Sequence, residues 1–411
     1  MAEMQNASLV MDDWPQLREH LPAGFDVEHR ARASGAFKRA RGVPDADTLL
    51  RLALGYGACG MSLREDAGWA SAMGIAQLSD VSLLHRLEKA APWLGELLTA
   101  LVADRSELPG GRWAGHRLRA IDATTICEPG AKRTTWRLHA GYDLADGQVD
   151  QIELTDVRGA ESLRRFTWQQ GDIALADRGY AKPRDLRPVT EAGAHFIVRI
   201  GWNALRLLRP DGSPFELFAA LAAGRRRQWQ VPISIEEGTA PAAPLALRLV
   251  IRRKRHGEAK AAQRRLLQDA RKRGKQPDPR SLEAARYILL LTSLPVAGFP
   301  LADVLAIYRL RWQIELAFKR LKSLADLDTL PAKKPALARS WIFARLIVAL
   351  LAERIAGKPP DSSPCAPRNR GRRTALADGE VRPASPALHD PRRARRCRTH
   401  PPSASPAQLT A

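Results

Sequence analysis

Residues 172–180 read Asp-Ile-Ala-Leu-Ala-Asp-Arg-Gly-Tyr, an apolar run that stops at Asp177. Four consecutive apolar residues between polar ends are typical of a short buried strand. A helix is predicted before this strand, over residues 160–169. A helix over residues 183–192 and a strand over residues 195–200 are predicted after it. This alternation predicts an α/β fold, with a mixed sheet flanked by helices.

Three more strands are predicted upstream of this stretch. Residues 117–126 alternate in hydropathy and contain Asp122. Residues 136–142 and 149–154 form a predicted hairpin, because Asp146-Gly147 between them is a strong turn dipeptide.

The N-terminal region has helical periodicity over residues 46–103. A cap-like Ser62 opens one segment, the pattern breaks at Gly74, and Ser79 or Asp80 caps the next segment. Two short helices around a turn are the outline of a helix-turn-helix, although helical hairpins that contact no DNA are commoner.

Downstream, residues 201–285 interrupt the alternation. They contain two strand-like segments, 229–235 and 246–253, and a basic helical pattern over 258–272, and we interpret them as a mostly β insertion. The elements predicted after it are a buried strand over 287–294, one long helix over 300–325 and another helix over 336–355.

The chain of 411 residues has 65 Lys and Arg against 44 Asp and Glu, a net charge of +21. Residues 252–286 carry a net +9 and residues 357–411 a net +7. This excess indicates a polyanionic partner, nucleic acid first, although a GC-rich genome also enriches Arg. The basic run over 252–275 fits a DNA-facing surface, with a solvated basic helix as the alternative.

The sequence favours a protein that neither crosses a membrane nor depends on disulfides. The four cysteines are far apart and form no C-x-x-C pair. Asp12 and Asp13 lie where a secretion signal would be apolar, and the longest apolar run, residues 341–352, is interrupted by Arg345.

The predicted helix over 300–325 has two contrasting faces. On a continuous helix, six polar or aromatic residues fall within an arc of about 100°: Tyr308, Arg311, Trp312, Glu315, Lys319 and Lys322. The opposite face, predicted to pack on the sheet, is apolar: Leu310, Ile314, Ala317, Leu321 and Leu324. An ordinary amphipathic helix would look the same. However, two aspartates at strand ends followed by a glutamate on a helix can converge to hold divalent metal ions for phosphoryl chemistry.

The spacing Y-x2-R-x3-E-x6-K, met by Tyr308, Arg311, Glu315 and Lys322, resembles the signature of the DDE transposases of bacterial insertion sequences, in the branch named after insertion sequence four. The resemblance includes Ile121-Asp-Ala-Thr-Thr and Ala176-Asp-Arg-Gly-Tyr, and it covers residues 60–356. It implies a ribonuclease-H-like fold, dependence on Mg²⁺ with Mn²⁺ as a substitute, and cut-and-paste movement through a hairpin at the transposon end.

The resemblance also implies residue roles. Asp122, Asp177 and Glu315 would be the metal-binding catalytic triad. The DNA-binding residues would be Tyr308, Arg311, Lys319 and Lys322, together with Trp312, which either stacks on an extruded base or packs within the protein. Thr124 and Arg178 would either support the triad or be ordinary turn or surface residues. Other carboxylates, at Glu153, Asp156, Asp172 and Asp185, lack the motif context and rank below it. His85, His116, His139 and His195 have no metal-like spacing.

Four regions are expected. Residues 1–105 form an N-terminal helical DNA-binding region, residues 106–200 and 286–356 the catalytic domain, residues 201–285 the basic insertion, and residues 357–411 a disordered tail. The tail lacks Trp, Phe, Tyr, Ile and Met after residue 364 and resembles GC-rich DNA translated out of frame. A natural disordered basic tail is the alternative to a frameshift.

The expected function is that of an insertion-sequence transposase. Its partners would be double-stranded DNA, both terminal repeats and target, and a second copy in a synaptic homodimer. The expected location is the bacterial cytoplasm, at the nucleoid. A catalytically silent, truncated DNA-binding relic is the alternative, and a nuclease on the same fold that joins no strands is a third reading.

Overall fold

The computed structural model describes residues 10–103, 115–127, 135–145, 147–236, 244–325, 327, 330–331 and 334–356, with the backbone alone for 320–324. The tail over residues 357–411 lies outside the described residues.

Five helices form an N-terminal layer. They are α1 (Trp14–Glu19), α2 (Val27–Ala33), α3 (Ala46–Ala58), α4 (Leu63–Ala72) and α5 (Asp80–Ala103). The predicted cap on α4 is present, since Ser62 and Glu65 form a reciprocal capping box. Gly74 has a φ of +68°, which explains the break after α4. The helix after the turn is 24 residues long, not short, because an apolar stripe from Leu83 to Val102 buries it.

Nine strands form one mixed sheet. They are β1 (Arg117–Ile126), β2 (Trp136–Asp143), β3 (Gln148–Asp156), β4 (Asp172–Ala176), β5 (His195–Arg199), β6 (Leu207–Leu208), β7 (Gln228–Ile235), β8 (Leu245–Arg253) and β9 (Tyr287–Thr292). Their order is β3-β2-β1-β4-β5-β9-β8-β7-β6. The β1–β4 and β4–β5 pairs are parallel and the rest are antiparallel. The strands predicted within the insertion therefore extend the main sheet through the β9–β8 pairing.

Helices cover both faces of the sheet. The remaining ones are α6 (Pro183–Glu191), α7 (Leu217–Ala223), α8 (His256–Lys272), α9 (Pro279–Ala284), α10 (Leu301–Arg309), α11 (Trp312–Ala325) and α12 (Pro335–Ile355). Alternate residues of β4 divide between two cores. Ile173 and Leu175 pack with α10, whereas Ala174 and Ala176 pack with α6 and α7.

Two helical predictions are corrected. Residues 160–169 form only a short 3₁₀ turn, Leu163–Arg165, because Phe166 is extended and Trp168 turns back to donate a hydrogen bond to the Leu163 carbonyl. The single helix expected over 300–325 is two helices, α10 and α11. Between them the amides of Leu310 and Arg311 donate to carbonyls three residues back, which tightens the turn and rotates α11 relative to α10.

The buried side of α11 differs in part from the predicted apolar face. Ile314 and Phe318 are buried in the core that β1 and β2 share with the N-terminal helices, while Leu316 is exposed. The side chains of Leu321, Lys322 and Leu324 are outside the described part. Because α11 contacts β1, the helix that carries Glu315 lies beside the strand that carries Asp122.

Helix α12 is the central core helix. Ser340 donates a hydrogen bond to the Leu87 carbonyl of α5, and Gly57 of α3 lies against Ala344. This helix is long and apolar enough to cross a membrane by length and composition, but 72% of its most apolar window is buried within the protein.

Candidate active site

Asp122 lies within β1, and Asp177 follows the last residue of β4. The parallel pairing of β1 with β4 runs from Arg117 and Asp172 to Ala120 and Leu175, so each aspartate comes two residues after the last paired residue of its own segment. The charge of Asp177 raises the pKa of Asp122, so the two carboxylates are close together. Two separate sequence motifs therefore place their carboxylates at one site.

Each aspartate is anchored by its own backbone. Asp122 accepts a 2.8 Å hydrogen bond from the amide of Ala123, and Asp177 accepts one of 2.8 Å from the amide of Gly179. One oxygen of each carboxylate is therefore fixed, which leaves the other oxygen for a partner.

Burial raises the pKa of Asp122 to about 6, and the negative charges of Asp177 and Glu161 push in the same direction. The Ala123 amide and the positive charge of Arg311 oppose the shift. The site thus gathers more negative charge than its own cation neutralises.

Glu161 is the site residue that sequence reasoning missed. Its carboxylate occupies the space where a side chain at position 179 would project, so the glycine of the Asp-Arg-Gly-Tyr motif leaves room for it. Glu161 lies in a loop where a helix was predicted, and nothing in its local sequence marks it. The signal that could have found it is this requirement for glycine beside Asp177.

The hydroxyl of Tyr180 lies among the same carboxylates. Tyr180 is buried, and its hydroxyl has no hydrogen-bond partner among the described residues. Burial raises its pKa, and the charges of Asp122, Glu161 and Asp177 raise it further. A buried hydroxyl without a partner is unusual in a folded protein and is typical of a site that holds a ligand.

Glu315 is connected to the carboxylates of the site through Arg311. The Arg311 guanidinium donates a 2.7 Å hydrogen bond to Glu315, and its other terminal nitrogen lies 3.9 Å from Asp122. The Glu315 side chain is 54% exposed. Within the described part of the chain, no three acidic, histidine or cysteine side chains are grouped closely enough to hold one metal ion.

The other predicted DNA-binding residues lie on α10 and α11. Burial raises the pKa of Tyr308, while the charges of Arg311 and Arg199 and a hydrogen bond with Arg311 lower it. Trp312 is half-buried and Lys319 is exposed. Lys322 lies on the same helix, and its side chain is outside the described part.

The competing carboxylates lie elsewhere in ion pairs or turns. Glu153 binds Arg165 at 2.7 Å and Asp172 is buried against Arg119 at 3.3 Å. Asp156 accepts from the amide of Arg158, and Asp185 is buried beside Arg184.

A family model described as the transposase DDE domain matches residues 113–351, which include all three triad positions. The chain belongs to the DDE transposase family. The InsL transposase of insertion sequence element IS186A from Escherichia coli (strain K12) is 42% identical over 348 residues, which cover 84% of this chain and 94% of that protein. The transposase of IS421 from Escherichia coli is also 42% identical, over 349 residues with the same coverage. These relatives place the transposase in the insertion sequence four branch.

More distant proteins match as well. The IS231F transposase of Bacillus thuringiensis subsp. israelensis is 24% identical over 268 residues, which cover 57% of this chain and 55% of that protein. A cryo-EM structure of the piggyBac transposase synaptic complex with hairpin DNA matches with a TM-score of 0.36 and 11% identity, covering 85% of this chain and 74% of that one. The family model and the two relatives at 42% identity show that the protein is an insertion-sequence transposase, and the alternative of a truncated relic is not favoured.

Proposed function

We propose that Asp122, Asp177 and Glu315 hold divalent metal ions, Mg²⁺ first with Mn²⁺ as a substitute, in a ribonuclease-H-like catalytic domain. The observation that carries this proposal is the proximity of Asp122, in β1, to Asp177, directly after the parallel strand β4. Their carboxylates supply the hard oxygen ligands that Mg²⁺ prefers, and the uncompensated negative charge favours a cation. When bound, the ions supply electrophilic activation of the attacking oxygen and charge neutralisation at the phosphorus.

Arg311 would exchange its contact with the Glu315 carboxylate for a contact with a DNA phosphate. Its guanidinium pairs with the half-exposed Glu315 and faces Asp122. A DNA phosphate offers the same guanidinium two parallel, charge-assisted hydrogen bonds. DNA binding would therefore draw Arg311 to the strand and leave Glu315 free to turn toward the aspartates.

The remaining residues would bind and orient the DNA. Tyr308, packed beside Arg311, would orient its guanidinium, while Lys319 and Lys322 would contact phosphates along α11. Trp312, half-buried at the start of α11, has an indole that could stack on an extruded base. Terminal repeats would be cut and joined to target DNA in a synaptic homodimer at the nucleoid. The helical region over 1–105 and one face of the basic insertion over 201–285 would contact DNA outside the cleavage site.

The test is cleavage of a labelled duplex that carries the element's terminal repeats, with Mg²⁺ or Mn²⁺, by the unmodified chain and its Glu315→Gln variant. The variant preserves shape and removes one charge. We expect cut and joined products from the unmodified chain, a loss of about 10³-fold or more in the variant, and equal end binding by both. Cleavage that survives in the variant would remove Glu315 from the triad, and cuts without joining would favour a nuclease.

A further inference from the structure

A cavity of about 770 Å³ lies beside the second aspartate motif, between the sheet and α8. Seven of its lining side chains are Lys or Arg, against two carboxylates, Glu258 and Asp269. The cations come from four parts of the chain: Arg178 after Asp177, Arg199 on β5, Arg252 and Lys254 at the end of β8, and Arg265, Arg273 and Lys275 on and after α8. A positive lining of this density is typical of a site for a polyanion.

The positive charges at the floor of this basic cavity are poorly compensated. Burial lowers the pKa of Lys254 to about 8, and the positive charges of Arg199, Arg178 and Arg252 lower it further. The buried Nε of Arg199 has no hydrogen-bond partner among the described residues. One ion pair, Arg252 to Glu258 at 3.3 Å, offsets part of this charge. Like charges held together in a partly buried place repel one another unless an anion joins them.

Helix α8 turns one face toward the cavity. The lining positions recur with helical spacing from residue 258 to residue 273. Arg264 and Arg271 do not line it, and both are exposed. A face of 15 residues is about 22 Å long, which matches roughly six phosphates of one DNA strand at about 3.4 Å per nucleotide.

The basic cavity continues directly from the carboxylate site. Arg178 follows Asp177 in the chain and lines the cavity. The side chain of Arg199 also lines it and is close enough to Asp177, Tyr308 and Arg311 for their charges to influence its pKa. A strand bound at Asp177 therefore meets this cavity as it leaves the site.

We propose that the cavity between α8 and the end of β8 binds the sugar-phosphate backbone of the DNA strand that leaves the carboxylate site. The inference rests on the proposed function, since it takes DNA as the molecule cleaved there. A free phosphate ion would pair with only two or three of the cations that line the cavity. A DNA strand presents a row of phosphates, one to each successive pair of these cations along the cavity.

The test compares two double variants with the same change in charge on the same helix. Arg265→Glu with Arg273→Glu alters the cavity face, and Arg264→Glu with Arg271→Glu alters the opposite face. Affinity for a labelled terminal-repeat duplex is measured without metal at several salt concentrations. All four residues are exposed, so we expect both variants to keep the thermal unfolding midpoint of the unmodified chain.

We expect the cavity variant to lose about tenfold or more in affinity at moderate salt. Its slope of log affinity against log salt should flatten by about 1.8, because two phosphate contacts of about 0.9 each are lost. The opposite-face variant should keep the slope of the unmodified chain. The milder pair Arg265→Gln with Arg273→Gln should flatten the slope in the same direction.

Three outcomes would overturn the inference. Equal flattening in both charge-reversal variants would mean that only overall charge matters, and no flattening in either would mean that DNA does not use the cavity. If inorganic phosphate stabilises the chain through Arg265 and Arg273 while the DNA slope is unchanged, the cavity is a small-anion site. Failure of the unmodified chain to bind the duplex would remove the proposed function together with this inference, whereas the first three outcomes leave that function intact.

Discussion

The guanidinium of Arg311 donates a 2.7 Å hydrogen bond to Glu315, one helical turn away. The same guanidinium faces Asp122 at 3.9 Å. Arg311 therefore pairs with two of the proposed metal-binding carboxylates, so that under the proposed function one side chain would link metal affinity to DNA affinity.

The Arg311→Gln variant should separate those two affinities. Without DNA, its affinity for Mn²⁺ should rise by about tenfold, or about 1.4 kcal/mol, because a competing positive charge is gone. Its cleavage of terminal-repeat DNA should nevertheless fall, because a phosphate contact is lost. Calorimetric titration with Mn²⁺ measures the first effect and a cleavage assay the second. The exposed Arg309→Gln variant is the matched control and should change neither. A lower Mn²⁺ affinity in Arg311→Gln would contradict the link.

Replacement of Glu161 tests whether the loop carboxylate belongs to the active site. In the Glu161→Gln variant we expect cleavage at low Mn²⁺ to fall by about 10- to 100-fold, as is typical when a group that orients metal ligands is lost. The measurement is the cleavage rate against Mn²⁺ concentration. Glu153→Gln breaks a surface ion pair with Arg165 and should leave the rate almost unchanged. Equal effects of the two replacements would show that Glu161 has no role in metal binding.

Asp66 should make stability depend on pH. It is buried in α4, neither carboxylate oxygen has a partner among the described residues, and burial raises its pKa to about 8. The unfolded chain ionises Asp66 near pH 4, whereas the folded chain keeps it protonated. The contribution of Asp66 to the free energy of unfolding is therefore fully present below pH 4 and is lost as the pH rises toward 8, by up to about 1.4 kcal/mol per pH unit.

The measurement is the thermal unfolding midpoint of the unmodified chain and the Asp66→Asn variant between pH 5 and pH 8. As the pH rises, the thermal unfolding midpoint of the Asp66→Asn variant should increase relative to that of the unmodified chain. Asp13→Asn, on the surface, is the control. A constant difference across this range would mean that Asp66 is ionised in the folded protein.

Gly57 should not tolerate a side chain. A Cβ there would lie 2.5 Å from the Cβ of Ala344 and 3.4 Å from the carbonyl oxygen of Trp341, so α3 and α12 would have to separate. We expect Gly57→Ala to lower the free energy of unfolding by about 1–3 kcal/mol. Gly68→Ala, at a helical position with nothing within 4 Å of the new Cβ, should instead raise it by about 0.5–1 kcal/mol. Chemical unfolding of both variants measures this, and a stable Gly57→Ala would contradict the packing between α3 and α12.

Sequence reasoning succeeded where the signal was local. The hairpin of β2 and β3 was predicted from Asp146-Gly147 and is present. The selection of Asp122 and Asp177 as metal ligands stays a prediction, and the strand end expected at Asp122 is not there, because β1 continues to Ile126. Sequence reasoning failed where the deciding contact was distant. Glu161 lies in a loop whose shape depends on Trp168 folding back, and the insertion joins the sheet only through the β8–β9 pairing. The tightened turn before Arg311 divides the predicted helix into two helices, although the spacing of apolar residues in the sequence continues almost unchanged across this turn.

The position of α12 has a consequence for how the protein is made. Its Ser340 is bound to Leu87, and its Arg354 donates to the carbonyl of Leu101, so both contacts span 253 residues of chain. A ribosome releases the N-terminal helices long before it reaches α12. Much of the apolar surface of those helices therefore stays exposed to solvent until α12 emerges from the ribosome. We expect a nascent chain that stops before α12 to be recognised by chaperones and proteases, because its helical core is incomplete.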